Sequence, residues 1–154
     1  MIYNGVSLLS AAPIKDMIGT KERSHGVSHG LSEAGYDIRI KQEVIFHPGN
    51  SIQPAGVWVD GVYSPGNFTI ASAIEEFDVP TDLVGIVHDK STWARRGLSV
   101  FNTVIEPGWE GFLTLELVYH GRAPLTIPAG AGIAQGVGIE ASALVFRVDE
   151  ADFR

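Results

Sequence analysis

Hydrophobic and polar residues alternate with a period of two along much of the chain. The clearest case starts at Tyr36, where Tyr36, Ile38 and Ile40 fall on one side and Asp37, Arg39 and Lys41 on the other. That period is the mark of a half-buried β-strand. Gly35, just before it, allows a tight backbone approach. His47-Pro48-Gly49-Asn50 reads as a turn. Further short β-like runs follow at 57–59, 67–73, 83–88, 99–104, 112–119, 125–127, 133–139 and 143–148, with Gly or Pro at nearly every junction. Many short strands with frequent turn signals predict an all-β barrel or sandwich. Helical signals are scarce. One short helix is expected over 10–21, with Ser10 as its cap and Pro13 in its first turn. Residues 21–32, KERSHGVSHGLS, are polar and glycine-rich and read as a loop. His25 and His29 are spaced to share a metal on a helix, but Gly26 and Gly30 argue against a helix there, which favours a solvated loop.

Composition narrows the class. The chain has 154 residues, 45% hydrophobic and 19% charged, the size and balance of one globular domain. No linker, repeat or low-complexity stretch interrupts it, so a single domain over 1–154 is expected. It has no cysteine, which removes disulfides, zinc–thiolate sites and a cysteine nucleophile. The formal net charge is −7. A nucleic-acid backbone is therefore not an expected partner, and an anionic substrate would need locally gathered cations. No apolar run approaches the roughly 20 residues of a membrane span. The N-terminal MIYNGVSLLSAAPIKD lacks a secretory layout. No membrane and a cytoplasmic location are the expectation.

Candidate chemistry concentrates in 86–120, IVHDKSTWARRGLSVFNTVIEPGWEGFLTLELVYH. A strand runs into the polar turn His88-Asp89-Lys90-Ser91. Residues 91–96 suit one and a half helical turns, capped by Asp89 or Ser91, with Gly97 as the residue after the last turn. Lys90, Ser91 and Thr92 at such a helix start form either an anion cradle of N–H groups, hydroxyls and one cation, or a capped surface turn. Arg95 and Arg96 end it. A solvated pair is the simpler reading, and one turning inward to a carboxylate or phosphate is the other. Glu106-Pro107-Gly108-Trp109 is a hairpin with an acid at its start and an aromatic ring at its end. That pair can hold a sugar, or Trp109 can simply fill core. In 112–119 both strand faces are largely apolar, so the strand is expected to be covered on both sides. Glu116 would then be desolvated, a state that raises a carboxyl pKa unless a cation opposes it. Such a group can move protons near neutral pH, or can be a structural partner for an arginine.

Four stretches in order, AGYDIRI (34–40), DKSTWARRGL (89–98), NTVIEPGWEGFLTLEL (102–117) and PAGAGIAQ (128–135), resemble the motifs of the dCTP deaminase and dUTPase superfamily. The resemblance is nearer to the deaminases and spans most of the chain. It implies a distorted β-barrel or jelly-roll of the dUTPase-like type with one or two short helices. It also implies a homotrimer with active sites at subunit interfaces. It gives Glu116 the role of general base and proton shuttle, with Arg95 beside it and Ser91 holding the water. It assigns substrate contacts to Lys90, Thr92, Asn102, Val104, Glu106, Trp109 and Gln135. Glu106 would meet the deoxyribose 3′-hydroxyl, Trp109 would pack under the sugar, and Gln135 would lie near the phosphates. Magnesium is implied on the triphosphate, with no direct protein ligand.

The chain departs from the family pattern in three places. Lys90 stands for the usual arginine and Thr92 for a second serine, which keeps charge and hydroxyl but loses the bidentate fork. Glu106 stands for aspartate, one methylene longer, and a misplacement near 1 Å costs a catalyst about 100-fold. That counts against hydrolysis through Glu106 more than against deamination through Glu116. The family's C-terminal arm is expected to be short here, since VDEADFR ends the sequence. The implied activity is dCTP deamination to dUTP and ammonia. Its rivals are a dUTP diphosphatase, an enzyme doing both steps, and a catalytically weak relative that binds nucleotides or a protein partner.

Overall fold

The structure, a computed structural model, describes residues 1–140. The strand expected over 143–148 and the terminal VDEADFR lie outside the described residues. The elements are β1 (Ile2–Tyr3), α1 (Gly5–Ala11), β2 (Lys21–Ser24), β3 (Val27–Leu31), β4 (Tyr36–Arg39), β5 (Val44–His47), β6 (Gly56–Val59), β7 (Val62–Pro65), β8 (Phe68–Asp78), β9 (Leu83–Asp89), α2 (Ser91–Ala94), β10 (Leu98–Val100), β11 (Val104–Ile105), β12 (Glu110–Tyr119), β13 (Leu125–Ile127) and β14 (Gly132–Glu140). All pairings are antiparallel. One sheet runs β11-β9-β14-β4-β3-β2 with β1 also on β14, a second runs β10-β12-β8, and a third runs β13-β5-β6-β7. Their inner faces share one core, in which Ile38, Ile40, Val44, Leu117, Ile127 and Ile133 are wholly buried. The result is all-β, as the strand pattern predicts, and jelly-roll-like with two short helices, as the family resemblance implies. No described helix is long and apolar enough to cross a membrane.

Two expectations for the N-terminal third fail, each for a local reason. The helix is α1, ending before Pro13 instead of starting around it. Ala12 takes left-handed φ 47° at its C-terminus, and a residue preceding proline is pushed out of the α region. Pro13 is therefore a stop. The presumed loop over 21–32 is the hairpin β2–β3. His25 and Gly26 both have positive φ, 53° and 74°, and join Ser24 to its partner Val27. That is the two-residue turn whose twist matches paired strands. Asp60-Gly61 does the same for β6 and β7, at φ 46° and 79°. The sequence reading of 57–59 did not extend to β7.

Gly35 meets its expectation. A Cβ there would sit 2.1 Å from the Gly136 carbonyl oxygen, so the approach of this segment to β14 requires glycine. Between β8 and β12 the register slips: Phe112 pairs with Glu76, but Thr114 pairs with Ser72. Residues 73–75 thus have no ladder partner on β12. Ala73 bridges to Ile40 instead. Buried Glu75 reaches β4, where it accepts the Arg39 backbone N–H (3.0 Å) and Nε–H (2.9 Å). The irregularity turns a strand residue into a clamp between two sheets.

Candidate active site

β12 alternates as its sequence requires, with Leu113, Leu115, Leu117 and Tyr119 on the buried face. The other face differs from expectation. It is not covered within one chain: Phe112 is 55% exposed, Thr114 is exposed, and Glu116 and Val118 are half-buried. The neighbouring strand shows the same, with Ile70 opposite Glu116 and Phe68 opposite Val118, both largely exposed. Glu116 is therefore a half-buried carboxylate on an open apolar face. The physical reason is that β12 sits between β8 and β10 in a sheet with only one face on the core.

The two carboxylates that compete in the sequence share one cleft. Glu116, Glu106 and Trp109 line a depression of about 260 Å³ together with Thr103, Val104 and Phe112. The 106–109 turn closes through a hydrogen bond from the Trp109 N–H to the Glu106 carbonyl (3.1 Å). Glu106 is exposed at the rim. The Trp109 ring packs on Phe77 at 6.0 Å, as the core-filling reading expects, and remains half-buried along the cleft. Glu116 Oε2 accepts a hydrogen bond from the Thr103 hydroxyl at 3.3 Å. No period or motif in the sequence marks Thr103 for this. Asn102 is exposed in the same crossover.

The phosphate-type turn lies elsewhere. Lys90, Ser91, Thr92, Arg95 and Gln135 do not line the cleft. α2 is only four residues long, its N-cap is Lys90, and no side chain caps it. Asp89, a proposed cap, instead accepts the Val100 N–H at 2.5 Å. Gly97 ends the turn with φ 96°, as expected. Ser91 and Arg95 are exposed. Arg96 lies over the Trp93 ring, 5.2 Å from its centroid.

Lys90 corrects the sequence reading most. Its Nζ is turned inward and donates to Asp37 Oδ2 and Ser28 Oγ, both at 2.7 Å. The Ser28 hydroxyl also donates to Asp37 (2.9 Å). The Lys90 and Asp37 side chains are 10% and 4% exposed. Asp37, read from alternation as an outward residue, is buried, and a buried carboxylate needs a cation. Lys90 supplies it, so its charge does not face outward from α2. Gln135 Nε2 is likewise engaged, donating to Ser32 Oγ at 3.0 Å. His29, read as part of a solvated loop, is buried with its Nδ1 unpartnered. No three His, Asp or Glu side chains among the described residues gather as metal ligands.

The fold resembles that of solved dUTPase and deaminase structures. It aligns with the native EIAV dUTPase at a TM-score of 0.54, covering 84% of each chain at 18% identity. It aligns with the 2′-deoxycytidine 5′-triphosphate deaminase of Agrobacterium tumefaciens at 0.55, covering 85% of this chain and 44% of that one at 16% identity. Sequence then narrows the class. Residues 59–137 match the family described as dCTP deaminase-like. The dCTP deaminase of Ehrlichia canis (strain Jake) is 37% identical over 134 residues, covering 79% of this chain and 72% of the relative. That of Anaplasma marginale (strain Florida) is 33% identical over 139 residues, covering 82% and 75%. The chain belongs to the dCTP deaminase-like family.

Proposed function

We propose that this protein is an enzyme that deaminates dCTP hydrolytically to dUTP and ammonia. The observation that supports this best is Glu116, half-buried among apolar side chains in a cleft that also holds a sugar-type acid and ring, in a chain whose relatives are named dCTP deaminases. Water adds its oxygen to C4 of the cytosine. Its two protons end on ring nitrogen N3 and on the amino nitrogen, which leaves as ammonia. Glu116 is the base that takes a proton from the water and returns it. Glu106 accepts from the deoxyribose hydroxyl and Trp109 packs on the sugar. Val104 and Asn102 flank the base. The His/Cys ligand set with which zinc nucleobase deaminases activate water is not available to a chain without cysteine.

Ser91, Thr92 and Arg95 complete the site from a neighbouring copy. They line no part of the cleft within one chain, and the face carrying Glu116 is open and apolar. A homotrimer that seats α2 of one subunit against the cleft of the next supplies the water-holding hydroxyl and an outward guanidinium. It also desolvates Glu116. Lys90 holds the turn in place through Asp37 and leaves the triphosphate to Arg95 and the hydroxyls, with Gln135 nearby. Magnesium would be carried on the triphosphate and would offset its charge beside Arg95.

A dUTP diphosphatase activity is the second reading. It is favoured by Glu106, exposed at the mouth of the same cleft and open to a water. One assay separates the two: dCTP and dUTP are offered with magnesium, and ammonia and pyrophosphate are followed separately. Ammonia from dCTP is expected. Pyrophosphate from dUTP with no ammonia from dCTP overturns the deaminase reading. Silence on both, with saturable nucleotide binding, points to a non-catalytic relative. Glu116→Gln is expected to lower ammonia release by at least about 100-fold while nucleotide still binds.

A further inference from the structure

We infer that Thr103 is a positioning residue for Glu116, and that its hydroxyl serves the carboxylate in both of its protonation states. The inference rests on the deaminase reading. The link between β10 and β11, residues 101–103, crosses β12 at Glu116. The Phe101 N–H donates to the Glu116 main-chain oxygen at 3.0 Å, which pins the crossover to the catalytic strand. Two residues on, Thr103 Oγ1 lies 3.3 Å from Glu116 Oε2 and 3.4 Å from the Phe101 carbonyl oxygen.

A threonine hydroxyl has one proton and two lone pairs, so it donates to one of these oxygens at a time. When Glu116 is ionised the proton faces the carboxylate, because hydrogen bonds to a charged acceptor are the stronger ones. When Glu116 has taken a proton from water on Oε1, Oε2 becomes the carbonyl oxygen of the acid and still accepts from the Thr103 hydroxyl. Oε2 keeps a partner throughout, without movement of the backbone. Oε1 makes no hydrogen bond among the described residues and is left for the water. A β-branched side chain suits this task because its χ1 is stiff. A base that must accept and return a proton needs such support in each state, since reorganisation at either step would add to the barrier.

The test compares kcat and KM for dCTP in the wild type, Thr103→Val and Thr103→Ser, read as ammonia release. Valine keeps the shape and removes the hydroxyl; kcat is expected to fall about 10-fold, the order of one hydrogen bond to a charged group, with KM changed less than about twofold. Serine is expected to restore most of kcat. An unchanged kcat in Thr103→Val, a change confined to KM, or equal losses in both variants each overturn the role of the hydroxyl while leaving the deaminase reading intact. Absence of ammonia from the wild type overturns that reading and the inference together. Should Thr103→Val lose its cooperative thermal transition, Thr103→Ala takes its place against Thr103→Ser.

Discussion

Two polar groups on neighbouring parts of the molecule are handled in opposite ways. Asp37 is buried on β4, and the chain closes around it: Lys90 and Ser28 satisfy one of its oxygens at 2.7 and 2.9 Å. Glu116 sits on β12 with a single long side-chain hydrogen bond among the described residues, from Thr103. Around it Phe68, Ile70, Phe101, Val104 and Phe112 are each about half exposed or more. The first region is complete within one chain and serves the fold. The second is incomplete within one chain, an arrangement suited to a site that a substrate and a second subunit finish. A carboxylate locked against a buried cation is committed to the fold; one that meets a hydroxyl beside an open cleft is accessible to a substrate.

Substitutions test that contrast, and the largest effect is expected in the closed region. Lys90→Met leaves Asp37 as an uncompensated buried charge, which costs about 3–5 kcal/mol. Thermal or denaturant unfolding reads it, and a loss below about 1 kcal/mol would show that the pair is not closed in solution. Next comes Tyr36→Phe. The Tyr36 hydroxyl accepts the Ile18 N–H at 3.0 Å, and its loss is expected to cost about 1 kcal/mol. Burial also pushes the Tyr36 phenol above its ordinary range. Its contribution is therefore fully present below the unfolded-state value near 10. It is lost as pH rises through the higher folded-state value, because the unfolded chain gives up the proton first. Wild-type stability should fall more steeply above pH 10 than that of Tyr36→Phe, and equal slopes would refute the assignment. The smallest effect on the fold is expected on the open face. Phe112→Glu should change chain stability by no more than about 0.5 kcal/mol yet, on the proposal that a second subunit covers this face, reduce self-association measured by light scattering and lower deamination with it. A variant that stays a fully active oligomer would mean this face is not the one subunits cover.

Much of the architecture could be read from residue order. Period-two runs located most strands, and Gly97 and Gly35 stood where their backbone roles required them; the turn 106–109 was recognisable from its residues, but it joins strands of two different sheets and closes no hairpin. The misreadings have local causes. Pro13 suits either the first turn of a helix or the residue after one, and the left-handed Ala12 decides between them. Gly26 and Gly30 looked like loop residues, although His25-Gly26 and Asp60-Gly61 are two-residue hairpin turns whose neighbours pair.

The candidate site was legible only in its members. Glu106, Trp109 and Glu116 were recognisable as chemistry-bearing residues from their places in a short segment, and the family to which the chain belongs followed from ordered motifs. Which of them meet, and with what, was not. Lys90 finds Asp37 across 53 positions of sequence, and Thr103 reaches Glu116 from a different strand connection. Alternation states which residues share a face of a strand, because side-chain direction is fixed by the backbone of that strand alone. Whether the face is then covered depends on segments far away in the chain or on another molecule. For that reason the sequence foresaw Leu115 inward and Glu116 opposite it, and the packed sheets alone revealed that Asp37 is closed in and Glu116 is left open.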